Sequence, residues 1–155
     1  MYVTPVFLGT FFLSAIVGLS GAAKAVDINT QLKACSAEKK ALGDVSSCGK
    51  KWKIGSSQAK VAADGGVTVE VKGLVLDDVS VGDANGTADG VDAIFVAVLC
   101  GGKLAAQADS VPLSKQGDAT FAGKLSVPTD CASPVVLVRE KYEGKIGGWL
   151  AASGQ

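Results

Sequence analysis

From about residue 58 onward, apolar side chains recur at every second position in short runs, each cut off by Gly, Pro, Asn or Asp. Val67, Val69 and Val71 alternate with Thr68, Glu70 and Lys72, and the pattern continues through Leu74 and Leu76. A period of two puts one set of side chains on one face of an extended chain, the mark of a half-buried strand. Comparable runs cover 58–62, 91–100, 103–110, 119–127, 134–142 and 148–153. Turn residues separate them at Gly101-Gly102, Gly117-Asp118, Pro128-Thr129-Asp130 and Gly144. Six or seven short strands with no helical pattern between them predict a mainly β fold. The expected form is an antiparallel, immunoglobulin-like β-sandwich over residues 58–155.

The N-terminal part reads differently. In 28–42, Ile28, Leu32, Cys35 and Leu42 stand four, three and seven apart, which predicts a helix with one apolar face. Asp27 or Asn29 would cap its start and Gly43 would stop it. Residues 26–57 are therefore expected to form a short helical and turn extension. Ahead of it, residues 6–19 are apolar and lead through small residues to Ala23-Lys24-Ala25. That spacing predicts a secretory signal peptide over 1–25, cleaved to leave Val26 as the N-terminus. The leading residues carry no Lys or Arg, and the alternative is an uncleaved anchor helix. Removing 25 of 155 residues leaves 130, one domain's worth, with no later run able to span a membrane. The expected location is secreted or periplasmic.

Four cysteines remain: Cys35, Cys48, Cys100 and Cys131. An even number in an exported chain predicts two disulfides, and three pairings are possible. Proximity and the strand pattern favour Cys35–Cys48 and Cys100–Cys131. The second would tie two strand ends across the longer loop, so it is expected to stabilise more. There is no C-x-x-C spacing, and the chain has no histidine at all. Ser-His-Asp and Cys-His nucleophile systems, cupredoxin-type copper sites and His-bound zinc or haem are excluded. Beyond residue 25 the chain carries 14 Lys/Arg, the total of 15 less Lys24, against 15 Asp/Glu. A net charge of −1 argues against nucleic acid as a partner.

Two clusters stand out. The loop holding Asp83, Asn85, Thr87, Asp89 and Asp92 spaces oxygen side chains as calcium loops do, although the EF-hand pattern is not met. Asp83, Asn85, Asp89 and Asp92 are the candidate calcium ligands, set against the simpler reading of a solvated turn with no metal or other cofactor. Asn85-Gly86-Thr87 also matches a glycosylation sequon. Lys50-Lys51-Trp52-Lys53 joins three cations to an aromatic ring beside Cys48. It is a candidate surface for an anionic polymer, a headgroup or a glycan, set against a packed Trp52 with solvated lysines. No carboxylate pair suggests a glycosidase, no catalytic residue emerges, and an enzyme is not expected.

The stretch 66–154 contains GVTVEVKGLVLDD, AIFVAVLC, GDATFAGKLSVPTDCASPVVLVR and GGWLAASG. It resembles a group of uncharacterised exported prokaryotic single-domain proteins with a two-cysteine pair and a terminal Trp-containing strand. The resemblance implies a β-sandwich with a Cys100–Cys131 bridge, and no activity. The function expected is a non-catalytic structural or binding module at the cell surface or in the periplasm. Its partner would be a protein or glycan of the envelope. The alternatives are a self-assembling, filament-type subunit and a carrier of a small apolar ligand.

Overall fold

The computed structural model describes residues 26–36 and 40–154. The expected signal segment, 1–25, lies outside the described residues. The fold is mainly β, with antiparallel sheets. One sheet has four strands in the order β1(Ile28–Thr30), β4(Ser56–Val61), β5(Gly66–Lys72), β10(Ala119–Lys124). The other runs β2(Lys33–Ala34), β12(Lys145–Ala152), β11(Val135–Tyr142), β7(Ala93–Cys100), β8(Lys103–Gln107), and β9(Val111–Pro112) also pairs with β7. A small ladder joins β3(Trp52–Lys53) to β6(Val75–Leu76). The alternation in β5 is observed directly: Val67, Val69 and Val71 are buried while Thr68, Glu70 and Lys72 are exposed. Their inner face shares one buried cluster with Ile94, Val96, Val98, Val136, Val138 and Leu150 of the other sheet. Each run predicted from residue 58 onward corresponds to an observed strand, with its limits moved by a few residues.

The predicted helix over 28–42 is not there: its described residues form strands β1 and β2. Ile28–Thr30 pairs with β4 in the first sheet, and Lys33–Ala34 pairs with β12 in the second. The chain crosses between sheets at Leu32, whose N–H donates to Ser57 Oγ (2.8 Å) and whose carbonyl accepts from the same hydroxyl (3.1 Å). A helix of this length is marginal in water, whereas the free edges of two sheets offer backbone partners at once. The segment is therefore part of the core.

Both disulfides form as expected, Cys35–Cys48 and Cys100–Cys131, and the described residues contain no free cysteine. Their surroundings differ. Cys35 and Cys48 are 0% and 3% exposed within the main core, whereas Cys100 and Cys131 are half-buried at its margin. Among the described residues no helix is long and apolar enough to cross a membrane.

Candidate functional site

The Lys50–Lys53 cluster lies against Asp77 and Asp78, the two carboxylates just ahead of the acidic loop. Lys51 Nζ lies 2.7 Å from Asp77 Oδ2, Lys53 Nζ 3.8 Å from Asp77 Oδ1, and Lys50 Nζ 3.7 Å from Asp78 Oδ2. Each lysine of the cluster thus faces a carboxylate of the segment after β6. Trp52 is 5% exposed and packs in the core. The arrangement offers an anionic polymer little uncompensated positive charge.

Hydrogen bonding to Lys51 holds the Asp77 carboxyl below the usual carboxylate range, and the same bond raises the Lys51 ammonium. Asp78 is also lowered, first by the Ser80 hydroxyl and backbone N–H. A carboxyl lowered by folding stabilises the fold above its unfolded value, and that support is lost as pH falls through the folded value. A raised lysine supports the fold below its unfolded value and loses that support as pH rises through the folded one. Asp77→Asn is therefore expected to flatten the pH dependence of the urea midpoint below about pH 4 and above about pH 10. An unchanged profile in the variant would show that the pair does not couple to folding.

The acidic loop folds on itself. Asp78 caps a 3₁₀ turn, Val79–Ala84, by accepting from Ser80 N–H, and Asn85 Oδ1 accepts from Asp78 N–H at 3.0 Å. Thr87 Oγ1 accepts from Asp89 N–H at 3.1 Å, and the Asp92 carbonyl accepts from Leu113 N–H. Asp83, Asp89 and Asp92 are exposed. Among the described residues no three His, Cys, Asp or Glu side chains are grouped to hold a metal.

Asp89 helps line a groove of about 290 Å³, with Gly49, Lys50, Trp52, Leu76, Val91, Glu140 and Tyr142 around it. The buried side chains of Trp52, Leu76 and Val91 form its floor, and Tyr142, half exposed, stands on its rim beside Gly90. Glu140 pairs with Ile94 in the unbroken β11–β7 ladder and falls, by alternation, on the same face of β11 as Val136, Val138 and Tyr142. Its Oε1 accepts from Gly148 N–H at 3.2 Å. Arg139 braces the same point: its Nε and one Nη donate to the Gly147 carbonyl at 3.2 and 3.0 Å, and its other Nη donates to Gln107 Oε1.

The two glycines before Trp149 have separate uses. A Cβ on Gly147 would occupy the space of the Glu140 side chain, and one on Gly148 would overlap the Ser46–Ser47 backbone. Sequence reasoning missed Glu140 and Tyr142 as site residues. The available signal was the Gly147-Gly148 pair, together with an aromatic residue ending a strand beside the Glu143-Gly144 turn. Comparison with family models, curated proteins and solved structures finds no match for the chain.

Proposed function

We propose that the chain is an exported, non-catalytic binding module with an immunoglobulin-like β-sandwich fold, whose groove holds a sugar unit of a neutral or cationic envelope glycan. The observation that carries this reading is the groove itself: exposed Tyr142 over an apolar floor, with the carboxylates of Asp89 and Glu140 beside it. A pyranose offers C–H faces to an aromatic ring and hydroxyl pairs to carboxylates, and this mixed lining is typical of small-ligand sites. Two carboxylates against the single ammonium of Lys50, already facing Asp78, disfavour an acidic polymer. Two disulfides in one small domain support an oxidising compartment, as does the expected signal segment. The N-terminal strands are held by β4, β12 and the Cys35–Cys48 bridge within their own molecule. For that reason we prefer a binding module to a filament subunit that donates its N-terminus.

NMR titration with neutral gluco-oligosaccharides, chito-oligosaccharides and an acidic oligouronide tests the reading. Shifts are expected around Asp89, Glu140 and Tyr142 with the first two classes, the oligouronide being weakest. Tyr142→Ala should weaken binding about tenfold and leave the melting temperature nearly unchanged, since the ring is half exposed. Millimolar sugars of all three classes leaving the groove resonances unmoved would defeat the proposal.

A further inference from the structure

We propose that the groove selects a sugar bearing a free amino group over its N-acetylated counterpart, the ammonium being held by Glu140 and Asp89. The choice rests on the glycan reading and names the sugar within it. Charge decides it. Among the described residues, salt bridges are made by Asp64, Glu70, Asp77 and Asp78, and neither Glu140 nor Asp89 is ion-paired. The nearby cations are directed elsewhere. Lys50 lines the groove, but its Nζ lies 3.7 Å from Asp78 Oδ2 and donates to Ser80 Oγ at 3.4 Å. Arg139 and Lys141 flank Glu140 in the chain, and alternation along β11 turns both to the opposite face. Arg139 spends its donors there on the Gly147 carbonyl and Gln107 Oε1. The groove therefore offers two carboxylates, with its own lysine engaged outside it.

The fold holds these groups in place for a cationic donor. Glu140 is half-buried, and its Oε1 accepts from Gly148 N–H at 3.2 Å, while among the described residues its Oε2 makes no hydrogen bond. A carboxylate that has lost part of its hydration gains most from a charged donor, which bonds it more strongly than a neutral one. Tyr142 stands two residues on, on the same face of β11. Its ring is seated against Gly90, where a Cβ would come 3.3 Å from Cε2, and so lies next to Asp89 in the chain. A cation beside that ring is also drawn to its π face. An ammonium carries three donors and no acceptor, which suits a lining of carboxylates. An acetamido group replaces these with one uncharged N–H and a carbonyl acceptor that carboxylates cannot serve.

The test is an NMR titration of the oxidised protein with glucosamine and N-acetylglucosamine oligomers of equal length, at about pH 6, where the sugar amine is charged. The glucosamine oligomer is expected to bind about tenfold more tightly, and the difference should shrink as added salt screens the charges. Glu140→Gln keeps an acceptor for Gly148 N–H and removes the charge, and Asp89→Asn alters an exposed side chain, so both variants should fold. In the double variant the ratio of the two dissociation constants should fall close to one. Equal binding of the two sugars by the wild type would overturn this proposal and leave the glycan reading standing. If neither these sugars nor a neutral gluco-oligosaccharide moves the groove resonances, the glycan reading falls and the proposal with it. A preference that survives in the double variant would also overturn it. So would a lysine-containing peptide that shifts the groove resonances as strongly as the glucosamine oligomer does.

Discussion

Replacing both cysteines of the Cys35–Cys48 bridge by alanine is expected to cost more stability than doing so at Cys100–Cys131, although the first closes the shorter loop. Loop-closure entropy favours the longer one: the separations are 31 and 13 residues, and the logarithm of their ratio is worth about 0.8 kcal/mol. Burial outweighs this. Cys35 and Cys48 are packed in the main core, and each lost sulfur leaves a void worth about 1–2 kcal/mol. Cys35 is also a junction, its N–H donating to Leu150 O and its carbonyl accepting from Trp52 N–H. Losing the bridge frees β2 and β3 together, uncovering the outer side of β12. At the other bridge the half-buried sulfurs leave little void. Gly101 N–H still donates to Ala132 O, so the two strand ends stay joined. We expect losses of about 5 kcal/mol for Cys35→Ala/Cys48→Ala and about 3 kcal/mol for Cys100→Ala/Cys131→Ala, read from urea unfolding. The reverse order would mean that residues 26–48 are only loosely attached to the core.

The strands from residue 56 onward were legible because each is a short apolar or alternating run bounded by turn residues. In β5 the period of two is set by the other sheet on one side and solvent on the other, whereas β7 is buried on both faces from Val96 to Leu99. The N-terminal segment breaks that condition. It spends three residues on one sheet and two on the next, so the inward parity resets at Leu32. Ile28, Leu32 and Cys35 are then left at four-and-three spacing, which mimics a helix. β3 and β9 are two residues each, too short for any period to show. The groove was hidden for another reason. Trp52, Asp89 and Tyr142 lie up to 90 residues apart, brought together by the β3–β6 ladder and the end of β11. Trp52 and Asp89 stand in separate clusters of the sequence, with nothing local to join them. Glu140 and Tyr142 continue the alternate positions of Val136 and Val138 beyond the buried run of β11, and that alternation does not show what the end of the strand faces.

The adjacent glycines Gly147 and Gly148 are separable by experiment, because a Cβ on one meets a side chain and on the other meets backbone. In Gly148→Ala the new methyl meets the backbone of Ser46 and Ser47, which is tied down by Trp149 N–H donating to Ser46 O and by the Cys48 bridge beside it. Backbone on both sides must shift, and the Trp149 Nε1 bond to Lys40 O is strained with it. Overpacking of this kind costs about 3 kcal/mol, equivalent to a fall in melting temperature of roughly 10 °C for a domain of this size. In Gly147→Ala the methyl meets the Glu140 side chain, which can swing into solvent. Only the Glu140 bond to Gly148 N–H is lost, so the cost should stay below about 1 kcal/mol. The groove, however, loses a carboxylate from its place. If a glycan binds there, Gly147→Ala should weaken it about tenfold. Adding Glu140→Ala to Gly147→Ala should then weaken it little further, because both act on the same group. A Gly147→Ala protein that binds sugar as the wild type does would remove Glu140 from the site, leaving Tyr142 and Asp89 to hold the ligand. Equal melting losses in the two glycine variants would show that the Glu140 side chain is as fixed as the Ser46–Ser47 backbone.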